Sequence, residues 1–232
     1  MDAGAAPSSD CTLCPRLAAY RAEQRAAHPD WFNAPVPPFG DPDAWLMIVG
    51  LAPGLKGANR TGRAFTGDGS GAMLFDVLIG LGLAHGRYGE DAEDGLRLNG
   101  AVIVNAVRCV PPANKPTPAE VRACRPYLVG PLLARPQPPV VVTLGRIAHD
   151  ATVTALGEMP ARFRFAHGAE HQAGGVTIIN SYHCSRYNQN TGRLTYKMLW
   201  SAFEAALRFA PQSRHKPPKN IGISTLDPHE KA

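Results

Sequence analysis

The 232-residue sequence has no apolar run long enough to span a membrane. Its N-terminus, Met1-Asp2-Ala3-Gly4 followed by an acidic Asp10, lacks the basic and apolar stretches of a signal peptide, so a cytoplasmic protein is expected. There are no internal repeats, and at this length the chain is read as one domain. No G-x-x-x-x-G-K-[ST] pattern can be matched, which sets aside a Walker A nucleotide site. Only five cysteines are present, and in an intracellular chain they do not make a disulfide framework. The chain is nonetheless globular, with 44% hydrophobic residues. Its formal net charge of +5 leans toward a polyanionic partner.

The cysteines fall into groups. Cys11 and Cys14 form a C-x-x-C ahead of Pro15, while Cys109 and Cys124 lie far downstream. Four thiolates so grouped suggest a tetrahedral metal site or an iron–sulfur cluster, and spacing alone does not separate them. The plainer alternative is a redox pair with two buried core cysteines. Cys184 stands apart and is given no role.

Elsewhere, strands alternate with helices. Apolar runs at 45–49, 101–104, 140–144 and 176–179 read as buried parallel strands. Helices are expected over 15–27, about 71–81, from Thr117 with capping-box spacing, from Arg146, and over 194–208. Pro126 and Pro131 are expected to break or kink the third of these. Residues 84–98 read as polar and irregular, and 211–232 as a disordered, Pro- and Lys-rich tail behind a single domain over 1–210. This pattern predicts an α/β fold with a mainly parallel sheet covered on both faces. Ligands in such folds bind beyond the carboxyl ends of the strands. Three polar loops should converge there: 50–71, 105–118 and 181–190.

Each loop carries candidate chemistry beside a plainer reading. In the first, Arg60 and Arg63 suit phosphates, and Phe65 is a base-stacking platform or a core anchor. Asp68 is the loop's one carboxylate, and it stands where an N-cap would. Asn105 and Asn114 in the second loop suit a base edge, or simply a turn. In the third, His183 can donate to a developing negative charge or be structural. Arg186, Asn188 and Gln189 suit a DNA groove or a solvated loop.

These loops resemble the uracil-DNA glycosylase superfamily, and within it the iron–sulfur branch called family 5 or type b. The likeness rests on Gly50-Leu51-Ala52-Pro53-Gly54, on 59–68, on Arg108-Cys109-Val110-Pro111-Pro112, on Asn114-Lys115-Pro116-Thr117-Pro118, on Leu144-Gly145-Arg146-Ile147-Ala148, and on Ser181-Tyr182-His183 with Thr191-Gly192-Arg193-Leu194-Thr195. It covers roughly residues 10–208. The related type a branch carries a Glu where Leu51 stands here. The resemblance implies a three-layer α/β/α sandwich around a four-stranded, mainly parallel sheet. It also implies a [4Fe–4S] cluster on Cys11, Cys14, Cys109 and Cys124. Asp68, Asn114 and His183 match its catalytic residues and Phe65 its base-stacking ring. Asn105 matches an asparagine that reads uracil in the type a branch, a position that varies within type b, and Ala52 is expected on the base. Arg60, Arg63, Arg186 and Asn188 are expected on DNA. The implied activity is removal of uracil, and of other deaminated bases such as hypoxanthine, leaving an abasic site. No lysine is placed as a Schiff-base nucleophile, so a monofunctional enzyme without strand cleavage is expected; a monomer is expected as well. The competing reading is a non-catalytic protein that binds damaged DNA.

Overall fold

The computed structural model describes residues 7–41, 43–133 and 140–211. Apart from its first residue, the tail expected to be disordered lies outside the described residues. Eight strands are present among them: β1 (Phe39–Gly40), β2 (Leu46–Gly50), β3 (Ala84–His85), β4 (Arg97–Leu98), β5 (Ala101–Asn105), β6 (Val140–Leu144), β7 (Glu170–Ala173) and β8 (Val176–Ser181). The helices are α1 (Pro15–Ala27), α2 (Ala58–Thr61), α3 (Gly71–Gly80), α4 (Pro118–Cys124), α5 (Pro126–Leu133), α6 (Arg146–Ala155), α7 (Arg186–Asn190) and α8 (Tyr196–Leu207).

The four apolar runs form the parallel heart of the sheet, β5-β2-β6-β8. Two antiparallel edge strands, β1 beside β5 and β7 beside β8, widen it to six. The sequence led to four strands because the edges carry no apolar run. β7 reads Glu-His-Gln-Ala and buries only Ala173. By contrast, every residue of β2, β5 and β6 is buried, as strands covered on both faces must be. Successive side chains alternate between two cores. Leu46 and Ile48 pack with α3 and α8 through Phe75 and Phe203. Met47 and Val49 pack with α5 and α6 through Leu128 and Ala151. These are the three layers.

Such layering positions the site. The chain leaving β2 travels to α3 on one face, and the chain leaving the adjacent β5 travels to α4 and α5 on the other. Neighbouring strands whose connections part to opposite faces open a crevice at their carboxyl ends. Gly50 and Asn105, the last residues of β2 and β5, are paired across that point.

Helix boundaries follow local chemistry. At α4, Thr117 Oγ1 accepts from the Glu120 N–H and the Glu120 carboxylate accepts from the Thr117 N–H, the reciprocal capping box. Pro126 ends this helix as expected, but Pro131 does not break α5, which runs to Leu133. A proline at 131 cannot donate to the carbonyl of Tyr127 four residues earlier. The Arg108 guanidinium donates to that carbonyl instead, at 2.8 Å. The segment expected to be irregular, 84–98, contains the short β3–β4 ladder. No helix among the described residues is long and apolar enough to cross a membrane.

Candidate active site

The three loops meet at a cavity of about 180 Å³ at the carboxyl edge of the sheet. Leu51, Ala52, Phe65 and Asp68 line it from the loop after β2, Asn105 from the end of β5, Asn114 from the segment after β5, and His183 from the loop after β8.

Asp68 does not cap α3. Ser70 is the N-cap residue, and Asp68 Oδ1 accepts the Ser70 N–H at 3.0 Å in a tight turn. Its Oδ2 lies against the backbone of the loop. A Cβ at Gly54 would stand 2.7 Å from that oxygen and one at Gly57 2.3 Å from it, so the two glycines make room for the carboxylate in this position. Phe65 is 8% exposed yet lines the cavity, and its φ of +55° is uncommon for an aromatic residue. Both readings of this ring hold: it is anchored in the core and presents a surface to the cavity. The His183 ring lies 5.8 Å from it, tilted by 31°. Burial pushes the His183 imidazole below the ordinary histidine range, and the nearby Asp68 charge pulls the other way.

The two asparagines differ in depth. Asn105 is buried at the end of β5. Asn114 is exposed at the rim, in a 3-10 turn where both Ala113 (φ +54°) and Asn114 (φ +56°) are left-handed.

One expected DNA contact, Arg63, is corrected. Arg63 is 4% exposed and is turned inward. It makes a bidentate pair with Asp94 at 2.7 Å and packs over the rings of Phe39 and Phe75, which leaves no cation for a phosphate. Asn188 donates its side-chain amide to the His183 carbonyl at 2.8 Å, and Gln189 reaches Cys184 O at 2.6 Å and Gly69 O at 3.3 Å. Both amides hold the His183 loop in place. Arg60 and Arg186 remain exposed. Arg186 lies flat on Gly69, where a Cβ would meet its Nε at 1.7 Å.

The structure adds residues that the sequence reading passed over. Tyr88 donates its hydroxyl to Phe65 O at 3.1 Å. Asp94 also accepts from the N–H groups of Gly89 and Leu96. Asn33, fully buried, accepts from the Asn59 amide at 2.8 Å and ties the segment after α1 to the first loop. Tyr88 and Asp94 sit in a stretch without periodicity, which left no signal to find them by.

A second depression is lined by Cys11, Cys14, Cys109 and Cys124 together. The Arg21 guanidinium donates to Cys109 Sγ at 3.4 Å, and the Arg108 N–H to Cys124 Sγ at 3.3 Å. Burial pushes the Cys124 thiol up to about 11. Among the described residues, no three His, Cys, Asp or Glu side chains converge closely enough to hold one metal ion. Cys184 lies apart, wholly buried in the core, its thiol pushed up by burial to about 12.

The model of the family described as the uracil DNA glycosylase superfamily matches residues 37–207. The chain is 46% identical to a type-5 uracil-DNA glycosylase of Thermus thermophilus, over 86% of this chain and 94% of that one. It is 43% identical to a type-5 uracil-DNA glycosylase of Pyrobaculum aerophilum, over 82% and 84%. A type-4 uracil-DNA glycosylase of Archaeoglobus fulgidus is 37% identical over 64% of this chain and 69% of its own.

Proposed function

The chain belongs to the uracil-DNA glycosylase superfamily, and on that premise we propose that it excises uracil from DNA in base-excision repair through the cavity described above. The observation that carries this reading is that Asp68, Asn114 and His183, from three separate loops, face one cavity beside Phe65.

A base in duplex DNA must leave the stack before its glycosidic bond can be reached. Within the cavity the base stacks on Phe65, and buried Asn105 meets its polar edge. As the bond breaks, negative charge develops on the base and positive charge on the sugar. His183, kept neutral by burial, donates its N–H to the base oxygen that gains charge. One such donor is worth about 10²–10³ in rate. The Asp68 carboxylate orients a water toward the sugar and takes its proton, a task typically worth about 10²–10⁴. Asn114, at the rim, holds that water. Base and abasic site are the products. Every group comes from one chain, so a monomer suffices. Arg60 and Arg186 are exposed beside the cavity and serve the phosphates. With small side chains at Ala52 and Ala58 on the cavity wall, hypoxanthine is proposed as a further substrate.

Cys11, Cys14, Cys109 and Cys124 fit a [4Fe–4S] cluster. Arg21 Nε is buried without a partner beside Cys109, and Arg108 Nε is likewise unpartnered. Both guanidinium groups are buried, and among the described residues neither is paired with a carboxylate. Two uncompensated buried cations call for an anionic group. Four thiols lining one depression are the usual ligand set of such a cluster. When bound, the cluster supplies a crosslink between the α1 segment and the loop after β5.

Single-turnover excision on a uracil-containing duplex tests the reading. Asp68→Ala and His183→Ala should each slow it by about a hundredfold or more while the protein stays folded. A wild-type protein that binds this duplex and never yields an abasic site is a damage-binding protein instead. Iron analysis and visible absorption test the cluster: zinc without iron in anaerobically purified protein overturns it.

A further inference from the structure

The helix that follows Cys14 reaches across to the rim of the cavity. Cys14 is the N-cap residue of α1, and Arg16 is the second residue of that helix. The Arg16 guanidinium makes two hydrogen bonds to Glu120, at 2.8 Å and 2.7 Å, and a third to the Lys115 carbonyl at 3.1 Å. Glu120 is 6% exposed, and its carboxylate also accepts the Thr117 N–H at 2.7 Å. Arg16 and Glu120 therefore bracket residues 115–117 from both ends.

The turn bracketed in this way presents Asn114. Two successive non-glycine residues with positive φ, Ala113 and Asn114, are costly and persist only where the surroundings hold them. Within the turn, the Asn114 and Lys115 N–H groups reach only Pro111 O and Pro112 O. The grip from outside comes from Arg16 and Glu120.

We infer that Arg16 is a positioning residue for Asn114, so that the cysteine-bearing N-terminal segment fixes the geometry of the excision site through the Arg16–Glu120–Lys115 knot. This rests on the role given to Asn114 above. It assigns the N-terminal segment a part in the rate of excision, beyond tying the chain together.

A double-mutant cycle tests it. Arg16→Met should slow single-turnover excision by about ten- to a hundredfold, since small misplacements of a reacting group cost that much. Iron content, visible absorption and binding to undamaged duplex should be unchanged. In an Asn114→Ala background the same substitution should have no further effect, whereas a general loss of structure would slow both backgrounds alike. Glu120→Gln breaks the same pair from the α4 side with a side chain of nearly the same size, and carries the test if Arg16→Met loses iron. A slow Asn114→Ala enzyme whose partner variants Arg16→Met and Glu120→Gln keep normal rates overturns the inference alone. Equal losses in both backgrounds also overturn it. An Asn114→Ala enzyme with normal rate overturns the role of Asn114 and the inference together.

Discussion

The Tyr88 hydroxyl donates to the carbonyl oxygen of Phe65 at 3.1 Å, across 23 residues of chain. Phe65 is the ring proposed to stack on the base, and its left-handed backbone is the kind of strain that a fold must hold from outside. Tyr88→Phe removes one donor and keeps the ring. We expect it to cost about 1 kcal/mol of stability, the net worth of one hydrogen bond. It should also slow excision while binding to undamaged duplex is unchanged. Burial pushes the Tyr88 hydroxyl up to about 12, so the bond persists through ordinary alkaline assays. Urea unfolding and single-turnover rates measured together decide the matter. Equal rates in both proteins would show that Phe65 keeps its place without the bond.

The parts of this site that were legible in the sequence are those tied to the strand ends. Apolar runs located β2, β5, β6 and β8, and the polar loops after them had to meet on one edge. Phe65, Asp68, Asn105, Asn114 and His183 do line a common cavity there. What the sequence concealed is which polar side chains turn inward. Arg60 and Arg63 look alike in a glycine-rich loop. Only the distant Asp94, with the rings of Phe39 and Phe75, makes Arg63 a core residue. Asn188 and Gln189 likewise read as solvated until the backbone of Cys184 and His183 is seen to need their donors. Long-range partners of this kind leave no periodicity.

Arg63 and Asp94 have side chains only 5% and 6% exposed. Removing one member strands the other, so Arg63→Met or Asp94→Asn should each destabilise the fold by about 3–5 kcal/mol. The Arg63 guanidinium holds the Asp94 carboxyl well below the usual carboxylate range. A depressed carboxylate stabilises the fold above its unfolded value, about 3.9, and that contribution is lost as pH falls further. Acid unfolding should therefore begin at higher pH in Asp94→Asn. In a folded Arg63→Met protein, the salt dependence of DNA binding should match wild type; a shallower slope would restore Arg63 to the phosphates.

His183 sets the pH behaviour of excision. Burial lowers its protonation below the ordinary value near 6.5, so the neutral donor survives to lower pH than a free imidazole. Single-turnover rates should show no His183 limb at or above about 6.5. The sign for stability follows. A histidine held neutral favours the folded state above its unfolded value, and that advantage shrinks as pH falls through about 6.5. Melting temperatures taken down the pH scale should fall less steeply in His183→Gln than in wild type. An acid limb centred above about 6.5 that vanishes in His183→Gln would mean the ring is not held neutral.

Arg186 and Asn188 are neighbours in α7 with opposite duties, and the difference is measurable. Arg186 is exposed and lies along Gly69, directly after Asp68, with its charge unpaired among the described residues. Asn188 spends its amide on the His183 carbonyl at 2.8 Å. A phosphate contact strengthens binding to any duplex and steepens its loss with salt. Arg186→Ala should therefore weaken uracil-containing and undamaged DNA alike and reduce the salt slope by about one. Asn188→Ala should leave both affinities and the slope as they are and slow the excision step, because the backbone that aims His183 loses a donor. Tyr187, between them, is 72% exposed and gives the loop a large ring of its own. If Arg186 instead filled the gap left by the extruded base, Arg186→Ala would lose affinity only for uracil-containing duplex and keep the wild-type slope. Titrations of both variants on both duplexes at several salt concentrations separate the two duties, and an Arg186→Ala protein with that selective loss would reject the phosphate assignment.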